Sequence, residues 1–155
     1  MAIDVVIETR IDRPLAEVFA RIADIDGWPA WLIASGIVRI VRADTGAVTA
    51  GERLSVEQRA AGRAGTFAAT ITDLDAPHRL ALTGKDADGV SIDIDARATE
   101  IEGTAATNLR WSIRIGLPFR YRVFESMARP QVQRAAALDI EALKRRLESV
   151  AEPTA

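Results

Sequence analysis

The chain has 155 residues, is 48% apolar and 27% charged, and carries a formal net charge of −2 at pH 7, the profile of one soluble globular domain spanning 1–155. That charge leaves no electrostatic footprint for nucleic acid or an anionic membrane. With no cysteine and one histidine, disulfides, thiolate chemistry, cysteine-ligated metals and multi-histidine sites within one chain are excluded, so no metal or cofactor is expected.

Met1 to Ile11 contains Asp4, Glu8 and Arg10 and has no basic region leading into an apolar run, so it does not read as a signal peptide. No apolar stretch approaches the length of a membrane span. A cytoplasmic protein is the expectation.

Ala2 to Ile11 alternates, with Ile3, Val5, Ile7, Thr9 and Ile11 on one side, and reads as a strand. Pro14 suits the first position of a helix, and Leu15, Val18, Phe19 and Ile22 make that helix amphipathic. Asp24 to Gly27 breaks it. Trp28 to Leu32 reads as a second short helix with Asp26 as its cap, ended by Ser35-Gly36. Strands then follow in a meander. Ile37 to Arg42 is the first, and a turn occupies Ala43 to Gly51. Leu54, Val56 and Gln58 share one face, and Ala61 to Gly65 turns the chain. Phe67, Ala69 and Ile71 are followed by a turn at Asp75 to His78, and Leu80 and Leu82 by one at Asp86 to Gly89. Val90, Ile92, Ile94 and Ala96 precede a turn at Glu102-Gly103, and Leu109, Trp111, Ile113 and Ile115 close the series. A two-residue loop there pairs Ile101 with Thr104 and sets Asp95 opposite Arg110, Arg97 opposite Asn108 and Ile94 opposite Trp111.

A long helix is expected from Phe119 to Val150, broken at Pro130. Val132, Ala136, Ile140, Leu143, Leu147 and Val150 form an apolar stripe; Asp139, Glu141, Lys144, Arg145 and Glu148 form the polar face. The rear of this helix reads as core. The front, with Phe119, Tyr121, Phe124 and Met127, reads as a lid or wall. The order of strand, two short helices, about six strands and a long helix points to an α+β fold whose sheet buries one face. A twisted sheet holding one helix leaves a cavity at the helix front.

Three local signatures accompany this order. The first is Ile11-Asp12-Arg13-Pro14-Leu15-Ala16-Glu17-Val18-Phe19, followed by Ile22-Ala23-Asp24 and Trp28-Pro29-Ala30-Trp31. The second is the turn Asp75-Ala76-Pro77-His78-Arg79-Leu80. The third is Arg129-Pro130 with Leu143-Lys144-Arg145-Arg146-Leu147-Glu148. Together they resemble the START-like (SRPBCC) superfamily, and within it the polyketide cyclase/dehydrase-like branch, over essentially the whole chain. The resemblance implies a helix-grip fold: a curved antiparallel sheet of about seven strands around a long C-terminal helix. It also implies an apolar cavity for lipids, sterols, polyketides or hormones, in members that are aromatases, cyclases, carriers or sensors.

Candidate chemistry is sparse. His78, the lone imidazole, sits in a turn and reads as a surface residue. Asp93 and Asp95 share a sheet face with Arg97, Arg110 and Arg114, as a solvated charge ladder does. Asp86 and Asp88 beside Gly89 lack the ligand count of a calcium loop. Trp28, Trp31 and Trp111 read either as core or as cavity wall. Phe67, Leu82, Ile92, Ile94, Ile113, Phe124 and Met127 are the other wall candidates, Met127 being adaptable to varied ligands. Gln58, on the apolar face, needs either a backbone or water contact or a ligand hydrogen bond. No inward set of Tyr, His or Arg serves a cyclase, so no catalytic residue is assigned.

The expected partner is a small hydrophobic molecule, with no nucleic acid and no membrane span, bound by a monomer or homodimer. The alternatives are a polyketide aromatase/cyclase, for which Gln58, Thr107 and Arg114 are the residues to mutate, and a co-chaperone-like interaction protein.

Overall fold

The structure, a computed structural model, describes residues 2–60 and 62–149. Val150, at the end of the expected apolar stripe, and Ala61, in an expected turn, lie outside the described residues. The chain runs β1 (Ala2–Ile11), α1 (Leu15–Ala23), a 3₁₀ helix (Ile25–Ala30), β2 (Ile37–Arg42), β3 (Arg53–Ala60) and β4 (Arg63–Asp75). It continues through β5 (Arg79–Lys85), β6 (Ser91–Glu100), β7 (Thr107–Gly116), a second 3₁₀ helix (Phe119–Phe124) and α2 (Glu125–Ser149).

The seven strands form one antiparallel sheet in the order β1-β7-β6-β5-β4-β3-β2. Short hairpins explain the run β2 to β7. β1 returns to pair with β7, and the connection through α1 and the first 3₁₀ helix spans the two edges. Alternation in β1 buries Ile3, Val5 and Ile11 and exposes Asp4, Glu8 and Arg10. The same parity in β7 buries Leu109, Trp111 and Ile113. α2 lies against β1 and buries Ala136, Ile140, Leu143 and Leu147. This is the helix-grip arrangement expected from the sequence.

The centre of the core is aromatic. Trp28, Trp31 and Trp111 are about 99% buried or more and meet edge to face, with ring centroids 6.1, 5.5 and 5.4 Å apart. Such pairs add about 0.5–1.5 kcal/mol each beyond the area they bury. The Trp28 indole donates to the Ile22 carbonyl at 2.9 Å; those of Trp31 and Trp111 find no acceptor among the described residues.

Several local expectations are corrected. The β6–β7 register is two residues off: Ile94 faces Ile113, Asp95 faces Ser112 and Arg97 faces Arg110. The turn does close at Ile101 to Thr104, with Gly103 at positive φ, but Thr104 and Ala105 then bulge, and pairing resumes with the Ala106 carbonyl. A slip of two preserves every side chain's face, so the expected burial pattern holds despite it. The Arg97–Arg110 opposition is relieved sideways, by Asp95 for Arg97 and Glu8 for Arg110.

β4 begins at Arg63, so the Ala61 to Gly65 turn is shorter than expected, and Gly62 takes φ 73°. Pro14 stands just before the first helical residue, and Asp26 caps nothing but accepts from Arg42 at 2.8 Å. The helix break falls at Phe124/Glu125 and not at Pro130, which α2 runs through. Pro118 sets φ −58° and its carbonyl starts the short 3₁₀ helix instead.

Asp139 is the largest departure. The helical spacing predicts a solvent-facing side chain, yet it is 1% exposed. Its two carboxylate oxygens accept the Ala34 and Ser35 amides at 2.7 and 2.9 Å. α2 is therefore tied by a side chain to the segment that leads into β2.

Candidate functional site: a cavity at the front of the helix

The inward residues of the sheet pack closely at one end and leave space at the other. At the full end, Ile71, Leu80, Leu82, Ala96 and Trp111 pack to near-complete burial. At the other end lies a cavity of about 580 Å³. β3 offers it Gln58 and Ala60, β4 Arg63, Gly65 and Phe67, β6 Ile92, and β7 Ile115. Val90 and Leu117 extend the same inward parity past the strand ends. The opposite wall is the second 3₁₀ helix, through Tyr121 and Phe124, and the first turns of α2, through Met127, Ala128 and Gln131. Phe124 and Met127 are also substantially exposed, so the cavity opens beside them.

Five residues expected to line a cavity are brought together there: Gln58, Phe67, Ile92, Phe124 and Met127. Six are not. Leu82, Ile94 and Ile113 lie one inward step or more deeper along their strands, where facing side chains already meet. Trp28, Trp31 and Trp111 pack on one another, so of their two readings the structure places them in the core. Gln58 donates Nε2 to the Ser35 carbonyl at 2.9 Å while bordering the cavity.

Sequence reasoning misses a polar cluster on the wall. Asp86 has a side chain only 4% exposed. Its Oδ1 accepts the amides of Asp88 and Val90, each at 2.9 Å, and its Oδ2 accepts Arg63 Nη2 at 3.0 Å. Arg63 also pairs with Asp88 and lies 5.9 Å over the Tyr121 ring. Arg120 covers the same ring at 4.8 Å and donates to the Asp88 carbonyl. Burial pulls the Arg63 pKa down, but Asp88 and Asp86 outweigh it and the net direction is up. Tyr121 lines the wall as one of the residues expected at the helix front, whereas Arg63, half-exposed on the same wall, is not shown by a strand parity that leaves it in a turn. The signal is present all the same: Arg63, Gly65 and Phe67 continue one alternation.

The remaining candidates lie elsewhere. His78 Nδ1 sits 3.2 Å from the Ala98 carbonyl in the β4–β5 turn. Asp93, Asp95, Arg97, Arg110 and Arg114 lie on the outer sheet face, where Arg79 bridges Asp95 and Asp73. There the Asp95 carboxyl is held below its ordinary value, its burial being outweighed by Arg79 and Arg97. Thr107 is buried, its hydroxyl donating to the Arg13 carbonyl at 2.8 Å, and Arg114 stands 3.8 Å from Asp4. Among the described residues no group of three His, Asp or Glu side chains is placed to hold a metal ion, and no helix is long and apolar enough to cross a membrane.

Residues 2–148 match the family described as polyketide cyclase/dehydrase and lipid transport. No curated protein sequence matches the chain. Among solved structures, the Zhui aromatase/cyclase from Streptomyces sp. R1128 is similar with TM-score 0.78 at 15% identity, over 99% of this chain and 98% of that one. TTHA0849 from Thermus thermophilus is similar with TM-score 0.76 at 13% identity, over 96% and 99%. A START superfamily protein from Mycobacterium smegmatis is similar with TM-score 0.74 at 12% identity, over 96% and 99%. At these identities the likeness is one of fold.

Proposed function

This chain belongs to the polyketide cyclase/dehydrase and lipid transport family, and on that premise we propose that it binds one small hydrophobic molecule in the cavity between the sheet and the front of α2. The observation that carries this reading is the cavity itself. At about 580 Å³ it falls within the range of small-molecule sites, about 300–1,000 Å³. Its walls are mostly aliphatic and aromatic, with Gln58, Gln131 and the Arg63–Asp86 pair as the few polar groups that orient a ligand. Apolar burial supplies the affinity at about 25 cal/mol per Å². Met127 and Phe124 at the opening adapt to ligand shape.

The test is a thermal-shift panel of fatty acids, sterols and aromatic polyketides. A ligand at a hundred times its Kd adds about 2.7 kcal/mol, which for a chain of this size raises Tm by roughly 5–11 °C. A panel with no shift overturns the reading.

A cyclase or aromatase is the second reading, and one observation favours it: Arg63, Asp86 and Tyr121 meet on the cavity wall. A cation beside a phenol is the kind of pair that orients and polarises a carbonyl. Asp86, however, is already engaged by three donors, which fits a group that holds its turn better than one that moves protons. Incubation with a linear poly-β-ketone thioester separates the two readings. Turnover that Tyr121→Phe abolishes selects the enzyme; binding without turnover selects the carrier.

A further inference from the structure

Beside the cavity opening, one short stretch has a composition unlike the rest of the surface. Phe119 is 84% exposed, Val123 77%, Met127 67% and Phe124 52%. Four large apolar side chains within nine residues stand in water, on the 3₁₀ helix and the first turn of α2. The surrounding residues 117–134 hold Arg120, Arg122, Arg129 and Arg134 against the single acid Glu125, a net +3 in a chain of net −2. Glu125 is taken by Arg129 at 3.6 Å. Arg120 lies over the Tyr121 ring and Arg122 over the Phe119 ring at 5.6 Å. Arg120 and Arg122 therefore flank the apolar tips and, among the described residues, pair with no carboxylate.

We propose that this segment docks the protein on an anionic lipid bilayer, Phe119 and Val123 entering the headgroup–acyl boundary while Arg120 and Arg122 meet lipid phosphates. Exposed apolar side chains ringed by arginine are what an interfacial helix presents. Arginine stems reach past apolar groups and leave the charge at the water boundary. A second copy of the chain fits this face poorly. A two-fold contact would set the arginine-rich segment against itself, and like charges across an interface oppose binding. The patch is also far smaller than the roughly 20–30 residues a side of a stable protein interface. Docked this way, the cavity opening beside Phe124 and Met127 faces the bilayer, a route for an apolar guest that avoids water. The docking itself does not depend on what the cavity holds.

The experiment is flotation of the ligand-free protein with vesicles of phosphatidylcholine alone and of phosphatidylcholine with phosphatidylglycerol, over a salt series. The expected result is binding to the anionic vesicles that weakens as salt rises. Phe119→Ser with Val123→Ser reduces partitioning by at least about tenfold, and Arg120→Gln and Arg122→Gln by about fivefold each. All four side chains are exposed, so circular dichroism stays at the wild-type spectrum in these variants; Arg120→Gln also gives up its bond to the Asp88 carbonyl, and flotation is run well below the Tm of each variant. No flotation at low salt overturns the proposal, as does equal binding to neutral vesicles or binding indifferent to Phe119→Ser/Val123→Ser. A concentration-dependent dimer in sedimentation velocity that the same substitutions dissolve also overturns it, in favour of a second copy. Because no ligand is added, a failed thermal-shift panel leaves this test intact.

Discussion

Replacing Asp139 by alanine tests what fastens α2 to the sheet. The carboxylate accepts two backbone amides, from Ala34 at 2.7 Å and Ser35 at 2.9 Å, and is almost wholly out of water. Hydrogen bonds to a charged partner contribute about 1.5–3 kcal/mol each. Against them stands the cost of burying the charge. That burial raises the Asp139 pKa above its ordinary 3.8, although the Ser35 and Ala34 hydrogen bonds pull it back. The net loss in Asp139→Ala is about 2–4 kcal/mol, or roughly 4–16 °C in Tm for a chain of this length.

The pH dependence has a definite sign. A carboxyl whose pKa is higher folded than unfolded stabilises the fold when protonated, and that contribution disappears as pH rises through the folded value. Wild type should therefore gain on Asp139→Ala as pH falls from neutral toward 3.8. Glu52 and Asp95, whose pKa values are lowered by arginine partners, titrate in both proteins and cancel in the difference. The assay is urea denaturation of both proteins across that range. A gap that narrows as pH falls would mean that the amide bonds outweigh burial, and would refute this reasoning.

Arg42 and Glu52 form a pair whose side chains are 4% and 6% exposed, with Arg42 Nε to Glu52 Oε2 at 2.5 Å. Arg42→Met leaves the Glu52 carboxylate buried and unpaired and should cost about 3–5 kcal/mol in urea denaturation, most of it recovered by adding Glu52→Leu. Gly36 has φ +76°, and a Cβ there would collide with the Arg59 carbonyl; Gly36→Ala should lower stability by at least about 2 kcal/mol in the same assay. Thr107→Val removes the hydrogen bond to the Arg13 carbonyl and should cost about 1–3 kcal/mol while leaving ligand-induced Tm shifts unchanged, since Thr107 is remote from the cavity wall.

The fold is legible because its signals are periodic. The alternation in β6 and β7 shows which side chains face inward even with the hairpin register two residues out, since parity is unaffected by a slip of two. The stripe Ala136, Ile140, Leu143 and Leu147 finds its place for the same reason. Asp139 cannot be read this way. A carboxylate within a polar face looks solvated until the chain brings the Ala34 and Ser35 amides to it from more than a hundred residues away in sequence.

The cavity is half legible. Parity names the inward residues but not which end of each strand stays open. So Ile92 and Phe67 border it, while Ile94, Ile113 and Leu82 lie one step or more deeper. The tryptophans carry no positional signal at all, because an indole suits a core and a wall equally. Arg63 is hidden by the glycines on either side of it, which suggest a turn where the strand has already begun. Whole-chain charge likewise conceals the basic segment around Arg120, since net charge averages over a surface that is not uniform.

The account rests on a cavity at the front of α2 that admits a guest. Its most direct test is titration of cis-parinaric acid into wild type and Ala128→Trp, whose new indole occupies the space beside Ala128 on the cavity wall. Saturable one-to-one binding by wild type, weakened at least about tenfold in Ala128→Trp at unchanged Tm, is the predicted result. Absence of saturable binding, or equal affinity in both proteins, would contradict it.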